Sequence, residues 1–154
     1  MEARIMIVYE SKYGNTKLVA ATIAEGLREV EGTEVVVSEL KEVDLRKIPN
    51  YDAILVGSPN HVGGPTWGIK KFIGKLGRLP LEGKSFAAFD TYLGISSGQA
   101  MKKMEKRIGG KVPGSKLVTP GLSIRVKGMR GPISEGELPK CKEFGKKIAT
   151  QIKA

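Results

Sequence analysis

Apolar and polar positions along the 154 residues alternate between two periods. Mostly apolar runs of strand length fall at about 3–9, 34–40, 52–58, 84–90 and 115–119. Between them, apolar residues recur at helical spacing over about 15–30, 66–77, 97–108 and 136–152, with a short irregular or helical turn near 43–48. The first helix shows its stripe at Leu18, Val19, Thr22, Ile23, Leu27 and Val30, with Glu25, Arg28 and Glu29 elsewhere on its surface. Ala53-Ile54-Leu55-Val56 is apolar at every position, as a central parallel strand covered on both sides must be. The alternation predicts an α/β protein with a parallel sheet and helices on both faces, and the length predicts one domain over 1–154. Gly114 to Gly136, rich in Gly, Pro and basic residues, is expected to be the least regular segment.

In a sheet of this kind ligands bind beyond the carboxyl ends of the strands, so three loops matter: Glu10 to Thr16, Ser58 to Trp67 and Asp90 to Gly98. In the first, the strand Ile5 to Tyr9 runs into Glu10-Ser11-Lys12-Tyr13-Gly14-Asn15-Thr16 and then a helix. A helix beginning near Asn15 leaves its first N–H groups unpaired and carries partial positive charge there, so a phosphate satisfies both. Ser11 and Thr16 add hydroxyl donors, and Gly14 lets the backbone turn sharply beside a ligand. The alternative is that Ser11, Asn15 and Thr16 only cap the helix. No G-x-G-x-x-G occurs, and Gly83-Lys84-Ser85 is not a Walker A end, because Arg78 stands where its first glycine is required. His61 is the only histidine, which leaves no histidine-based zinc site or diiron centre to expect.

Charge changes this picture more than composition does. The net charge is +10, yet residues 1–94 are neutral and 95–154 carry the whole excess, through Lys102, Lys103, Lys106, Arg107 and Lys111, then Arg125, Lys127 and Arg130, then Lys140, Lys142, Lys146 and Lys147. Such a region steers acidic partners and could bind nucleic acid weakly, without sequence preference; the alternative is that its lysines are simply solvated. Cys141, the only cysteine, sits among Leu138, Phe144 and Ile148 and reads as a small core or edge residue without chemistry, in preference to a reactive thiol. No apolar run reaches the roughly 18 residues of a membrane span, and the chain enters its first strand with charges at Glu2 and Arg4 instead of a signal-peptide pattern. A cytoplasmic protein without membrane attachment is expected.

Taken together, the three loops resemble those of short-chain flavodoxins, over essentially the full length. Ser11-Lys12-Tyr13-Gly14-Asn15-Thr16 matches the family's S/T-x-S/T-G-N-T phosphate loop, with Tyr13 in place of a hydroxyl residue. Gly57-Ser58-Pro59-Asn60 resembles the G-S/T-P-T loop that borders the isoalloxazine ring, with Asn60 where threonine is commoner. Phe89-Asp90-Thr91-Tyr92-Leu93-Gly94 followed by Ser97-Gly98 is similar to the third loop in the flavodoxin modules of flavodiiron proteins. The resemblance implies a flavodoxin-like doubly wound five-stranded sheet of order 2-1-3-4-5 and FMN as cofactor. It implies that Ser11, Lys12, Tyr13, Gly14, Asn15 and Thr16 hold the phosphate, that Ser58, Pro59, Asn60, His61, Gly63 and Gly64 line one side of the flavin, and that Asp90, Tyr92 and Gly94 line the other.

Tyr92 is the favoured stacking aromatic, because Trp67 opens a helix and can pack in the core instead. His61 either donates to the flavin or has no role. Gly63-Gly64 is where a peptide can flip inexpensively to accept a hydrogen bond from the reduced ring. Members of the family are usually acidic, whereas these loops contain only Glu10 and Asp90. A second reduction potential less negative than is usual follows. The leading reading is an electron carrier between redox proteins, with acidic ferredoxin-like partners on the basic residues of 95–154. The rivals are an FMN-dependent NAD(P)H:quinone or small-acceptor reductase, and a flavin-free binding module whose basic half contacts nucleic acid. No catalytic acid, base or nucleophile is identifiable, and specific nucleic-acid binding is not expected.

Overall fold

The computed structural model describes residues 2–153. Strands β1 (Ala3–Tyr9), β2 (Thr33–Glu39), β3 (Ala53–Pro59) and β4 (Ser85–Tyr92) alternate with helices α1 (Asn15–Arg28), α2 (Trp67–Leu76) and α3 (Gln99–Lys111). Two 3-10 turns, Leu40–Glu42 and Leu45–Asn50, stand in place of a helix between β2 and β3. Short strands β5 (Lys116–Leu117) and β6 (Leu122–Arg125) follow, and α4 (Leu138–Lys153) closes the chain. All pairings in the sheet are parallel and the order is β2-β1-β3-β4-β5, as the resemblance implied.

The fifth position differs from the expected single strand at 115–119. β5 pairs with Ser85 and Phe86 of β4, and β6 pairs further along with Phe89 to Tyr92, so part of the segment expected to be irregular is sheet. The break between them has a local cause. Pro120 offers no N–H, and Gly121 lies so close to β4 that a Cβ there would sit 2.1 Å from the Ala88 carbonyl oxygen. The Gly121 N–H leaves the ladder and donates to Glu105 at 2.8 Å.

Side chains alternate across β3, which explains its unbroken apolar sequence. Ile54 and Val56 join the core beneath α2 and α3, with Phe72, Ile73, Phe86, Met104 and Ile108. Ala53 and Leu55 face the opposite core beneath α1 and α4, with Ile23, Leu27, Phe89, Cys141 and Ile148. Burying each of the larger side chains contributes about 1.5–3 kcal/mol. On α1 the buried stripe is Val19, Ala20, Ile23, Ala24 and Leu27, whereas Leu18, expected in it, is exposed. Cys141 is fully buried, and burial pushes its thiol up to about 12, in keeping with a core residue.

Candidate functional site

The loops after β1, β3 and β4 meet the segment after β6 at the carboxyl end of the sheet, around a cleft of about 320 Å³. One end of the cleft is built on the start of α1. Gly14 takes a left-handed conformation, φ 91°, which a side chain would oppose. The Ser11 hydroxyl accepts from the N–H groups of Gly14 at 3.1 Å and Lys17 at 3.3 Å, folding the loop back over the helix start. Among the described residues, no hydrogen bond uses the N–H of Lys12, Tyr13, Asn15 or Thr16. The first turn of α1 holds no carboxylate to compete for them. Capping by Ser11 and a free set of donors therefore coexist.

Cations reinforce that end. The Lys12 ammonium lies 5.4 Å and the Arg130 guanidinium 5.6 Å from the centre of the Tyr13 ring. The Thr16 side chain is buried and shares a hydrogen bond of 3.1 Å with Thr91, so β4 is tied to the loop.

Asn60 joins three elements at the other end. Its amide nitrogen donates to the Thr91 carbonyl at 3.1 Å, and its amide oxygen accepts from the Ala100 N–H at 2.9 Å. A threonine here would be too short to reach both. Beyond it, His61 and Gly64 exchange two backbone hydrogen bonds, 2.7 and 3.2 Å, around a tight turn. Val62 and Gly63 at its tip have φ of 52° and 74°, the first an uncommon conformation for a β-branched residue.

Of the residues expected from sequence, Ser11, Lys12, Tyr13, Asn15, Thr16, Pro59, Asn60, His61 and Tyr92 line the cleft. Gly14, Gly63 and Gly64 do not line it: Gly14 sets the turn before α1, and Gly63 and Gly64 belong to the turn at 61–64. Ser58, Asp90 and Gly94 do not line the cleft either. The Ser58 hydroxyl is buried, donating to the Pro59 carbonyl and accepting from the Thr66 N–H at 3.0 Å, so it pins the two ends of the loop together. Asp90 is fully buried under the start of α3, where it accepts from the Met101 N–H at 2.8 Å and from the Ser123 hydroxyl. Trp67 is 74% exposed and lies neither in the core nor in the cleft.

Val62, Thr91, Leu93, Val126 and Met129 also line the cleft and were missed. Thr91 and Leu93 flank Tyr92 and could have been taken with it. Val126 and Met129 carry no motif, and their place depends on β6 and on an antiparallel bridge between Val126 and Ile133. Among the described residues, no carboxylate lines the cleft.

Burial pushes the Asp90 carboxyl above the usual aspartate range, against the downward pull of Ser123 and the Met101 N–H. The native state then keeps a proton that the unfolded chain has lost. Stability should fall as pH rises from about 3.9, the ordinary aspartate value, through the raised native value, and level off above it. Asp90→Asn should flatten this part of the profile. Urea midpoints of both proteins against pH provide the check, and an equal slope in the two would reject the assignment.

A sequence model of the family described as Flavodoxin matches residues 7–131. The chain belongs to the flavodoxin family. A flavodoxin from Clostridium saccharobutylicum is 30% identical, the match spanning 97% of this chain and 98% of that protein. A solved flavodoxin from the domain Archaea is 28% identical, with a TM-score of 0.84 over 98% of this chain and 99% of that one. The rubredoxin oxygen:oxidoreductase of Desulfovibrio gigas, 24% identical, shares the fold at a TM-score of 0.79, covering 97% of this chain and 36% of its own. Flavodoxin-family proteins bind FMN, and the residues here fit it: free N–H groups and two cations suit a phosphate, and Tyr92 among Leu93, Val126 and Met129 suits a flat apolar ring.

Proposed function

We propose that this flavodoxin-family protein carries electrons between redox proteins through FMN held in the cleft. FMN supplies the one- and two-electron chemistry when bound. The observation that carries the reading is the set of unpaired N–H groups at the start of α1, opening into an aromatic and apolar cleft without carboxylates. In this reading Lys12, Tyr13, Asn15 and Thr16 hold the phosphate with Ser11 and Gly14 setting the loop. Pro59, Asn60 and His61 border one side of the ring and Tyr92 the other. Leu93, Val126 and Met129 exclude water. Ser58 and Asp90 serve from behind, by fixing the loops, and Gly94, exposed and with a positive φ, sets the turn after Tyr92.

The turn at 61–64 is the segment able to respond to the ring's protonation. The Gly63–Gly64 peptide already gives its N–H to the His61 carbonyl, so a flip there would break the turn. The Val62–Gly63 peptide makes no such bond and is the better candidate for accepting from the reduced ring.

No helix among the described residues is long and apolar enough to cross a membrane. A cytoplasmic location is supported by the lone, buried cysteine. The basic residues of 95–154 suit acidic, ferredoxin-like donors or acceptors.

Adding FMN, removing the excess and reducing the protein stepwise without oxygen tests the reading. Retained flavin reduced in two resolved one-electron steps is expected. Because no carboxylate lines the cleft, the second potential should be less negative than in acidic flavodoxins. Direct two-electron reduction together with turnover of NAD(P)H and a quinone would transfer the assignment to a reductase, and failure to retain flavin would overturn it.

A further inference from the structure

The basic charge of this protein is divided unequally between the two faces of the sheet. On the α1/α4 face three of the lysines of α4 are engaged by carboxylates, while Lys147 forms no salt bridge among the described residues. Lys142 and Lys146 reach Glu29 of α1 at 3.5 and 3.6 Å, Lys146 also reaches Glu143, and Lys140 pairs with Glu137 at 2.7 Å. On the other face, α2 carries Lys70, Lys71 and Lys75 with no carboxylate, and α3 carries Lys102, Lys103, Lys106, Arg107 and Lys111 with only Glu105. Glu105 accepts from the Gly121 N–H. Among the described residues, none of these eight cations forms a salt bridge.

Lys103, Lys106, Arg107 and Lys111 stand at positions i, i+3, i+4 and i+8 of one helix, which places them on a single face. With Lys70 they surround a groove of about 410 Å³ between α2 and α3. Like charges at this spacing repel one another, and no salt bridge among the described residues relieves them. The groove abuts the cleft: a Cβ built on Gly64, in the turn at its rim, would lie 3.7 Å from the Lys103 ammonium. An exposed tryptophan, Trp67, stands one turn before Lys70 on α2, the kind of residue that anchors protein interfaces.

We infer that the α2–α3 groove is the docking surface for an acidic redox protein, and that the basic face of α4 is not. The inference rests on the carrier reading, because a partner seated here covers the 61–64 turn and so approaches the cleft edge. Charge complementarity names the partner's chemistry: carboxylates opposite Lys103, Lys106, Arg107 and Lys111. A nucleic acid would match the charge but accepts no electrons, so a protein is favoured.

The test uses the FMN-loaded protein and an acidic plant-type [2Fe–2S] ferredoxin as probe, with binding and electron transfer measured against salt. The native protein should bind more weakly as salt rises. The triple variant K103E/K106E/R107E should lose roughly tenfold or more in association rate at low salt and most of its salt dependence. K103Q/K106Q/R107Q should lose part of both, which guards against misfolding of the reversal variant. K142E/K146E should stay close to native. An equal loss in the α4 variant, or native binding indifferent to salt, would overturn the proposal. So would a single-stranded oligonucleotide that binds more tightly than the ferredoxin through the same residues. Flavin absorption read in the same samples separates the two conclusions: native protein without flavin would defeat the carrier reading and leave the ferredoxin binding to judge the groove.

Discussion

Gly145→Ala should destabilise the protein by about 3 kcal/mol or more, in the upper range of overpacking changes. Alanine is ordinarily the better helix former, by about 1 kcal/mol, so propensity alone predicts the opposite sign. The reason lies across the helix pair. A Cβ on Gly145 of α4 would sit 2.2 Å from the Ile23 carbonyl oxygen and 2.9 Å from the Leu27 nitrogen of α1. Gly26 of α1 makes the reciprocal approach, 2.0 Å from the Lys142 carbonyl oxygen. These neighbours are backbone and cannot rotate away, so the helices must separate and loosen the core containing Ile23, Leu27 and Ile148. Gly74→Ala in α2 is the control, because its Cβ meets nothing within 4 Å and propensity should then prevail. Urea unfolding of the three proteins decides: a Gly145→Ala protein as stable as native would mean that α1 and α4 are not in close contact.

Tyr92→Ala should weaken FMN binding by roughly 5- to 150-fold, the effect of losing about 1–3 kcal/mol of aromatic stacking. Tyr92 ends β4, its carbonyl accepts from the Val126 N–H at 2.9 Å, and its side chain lines the cleft beside Leu93. Backbone pairing is retained in the variant, so the sheet should survive. Tyr92→Phe keeps the ring and should bind almost as tightly as native. Fluorescence titration of flavin-free protein with FMN measures all three. Equal affinity in the alanine variant would move the stacking role to Tyr13, the other aromatic lining the cleft.

Much of the site was legible because its signals are local. A left-handed glycine before a helix, a hydroxyl three residues earlier and a run of free N–H groups are consequences of neighbouring residues, and Ser11 to Thr16 form the loop expected of them. Ser58 and Asp90 were legible as members of their loops but not in their orientation. Both alternate toward the interior, Ser58 to fasten Thr66 and Asp90 to hold the start of α3. Val126 and Met129 were illegible, since they reach the cleft only after β6 has found its place beside β4.

Neighbouring residues suffice to set the alternation of strands and helices, the apolar character of β3 on both faces, and the three loops where chemistry belongs, because periodicity and turn chemistry act over a few residues. Where the charge resides depends instead on how the elements assemble. Along the chain the first 94 residues are neutral and the remainder basic. In space, Glu29 from the neutral part pairs with Lys142 and Lys146 of α4, while α2, also from that part, joins α3 in a face of unpaired cations. Coulomb interactions depend on separation through space, and the parallel crossovers bring together residues that the sequence keeps far apart.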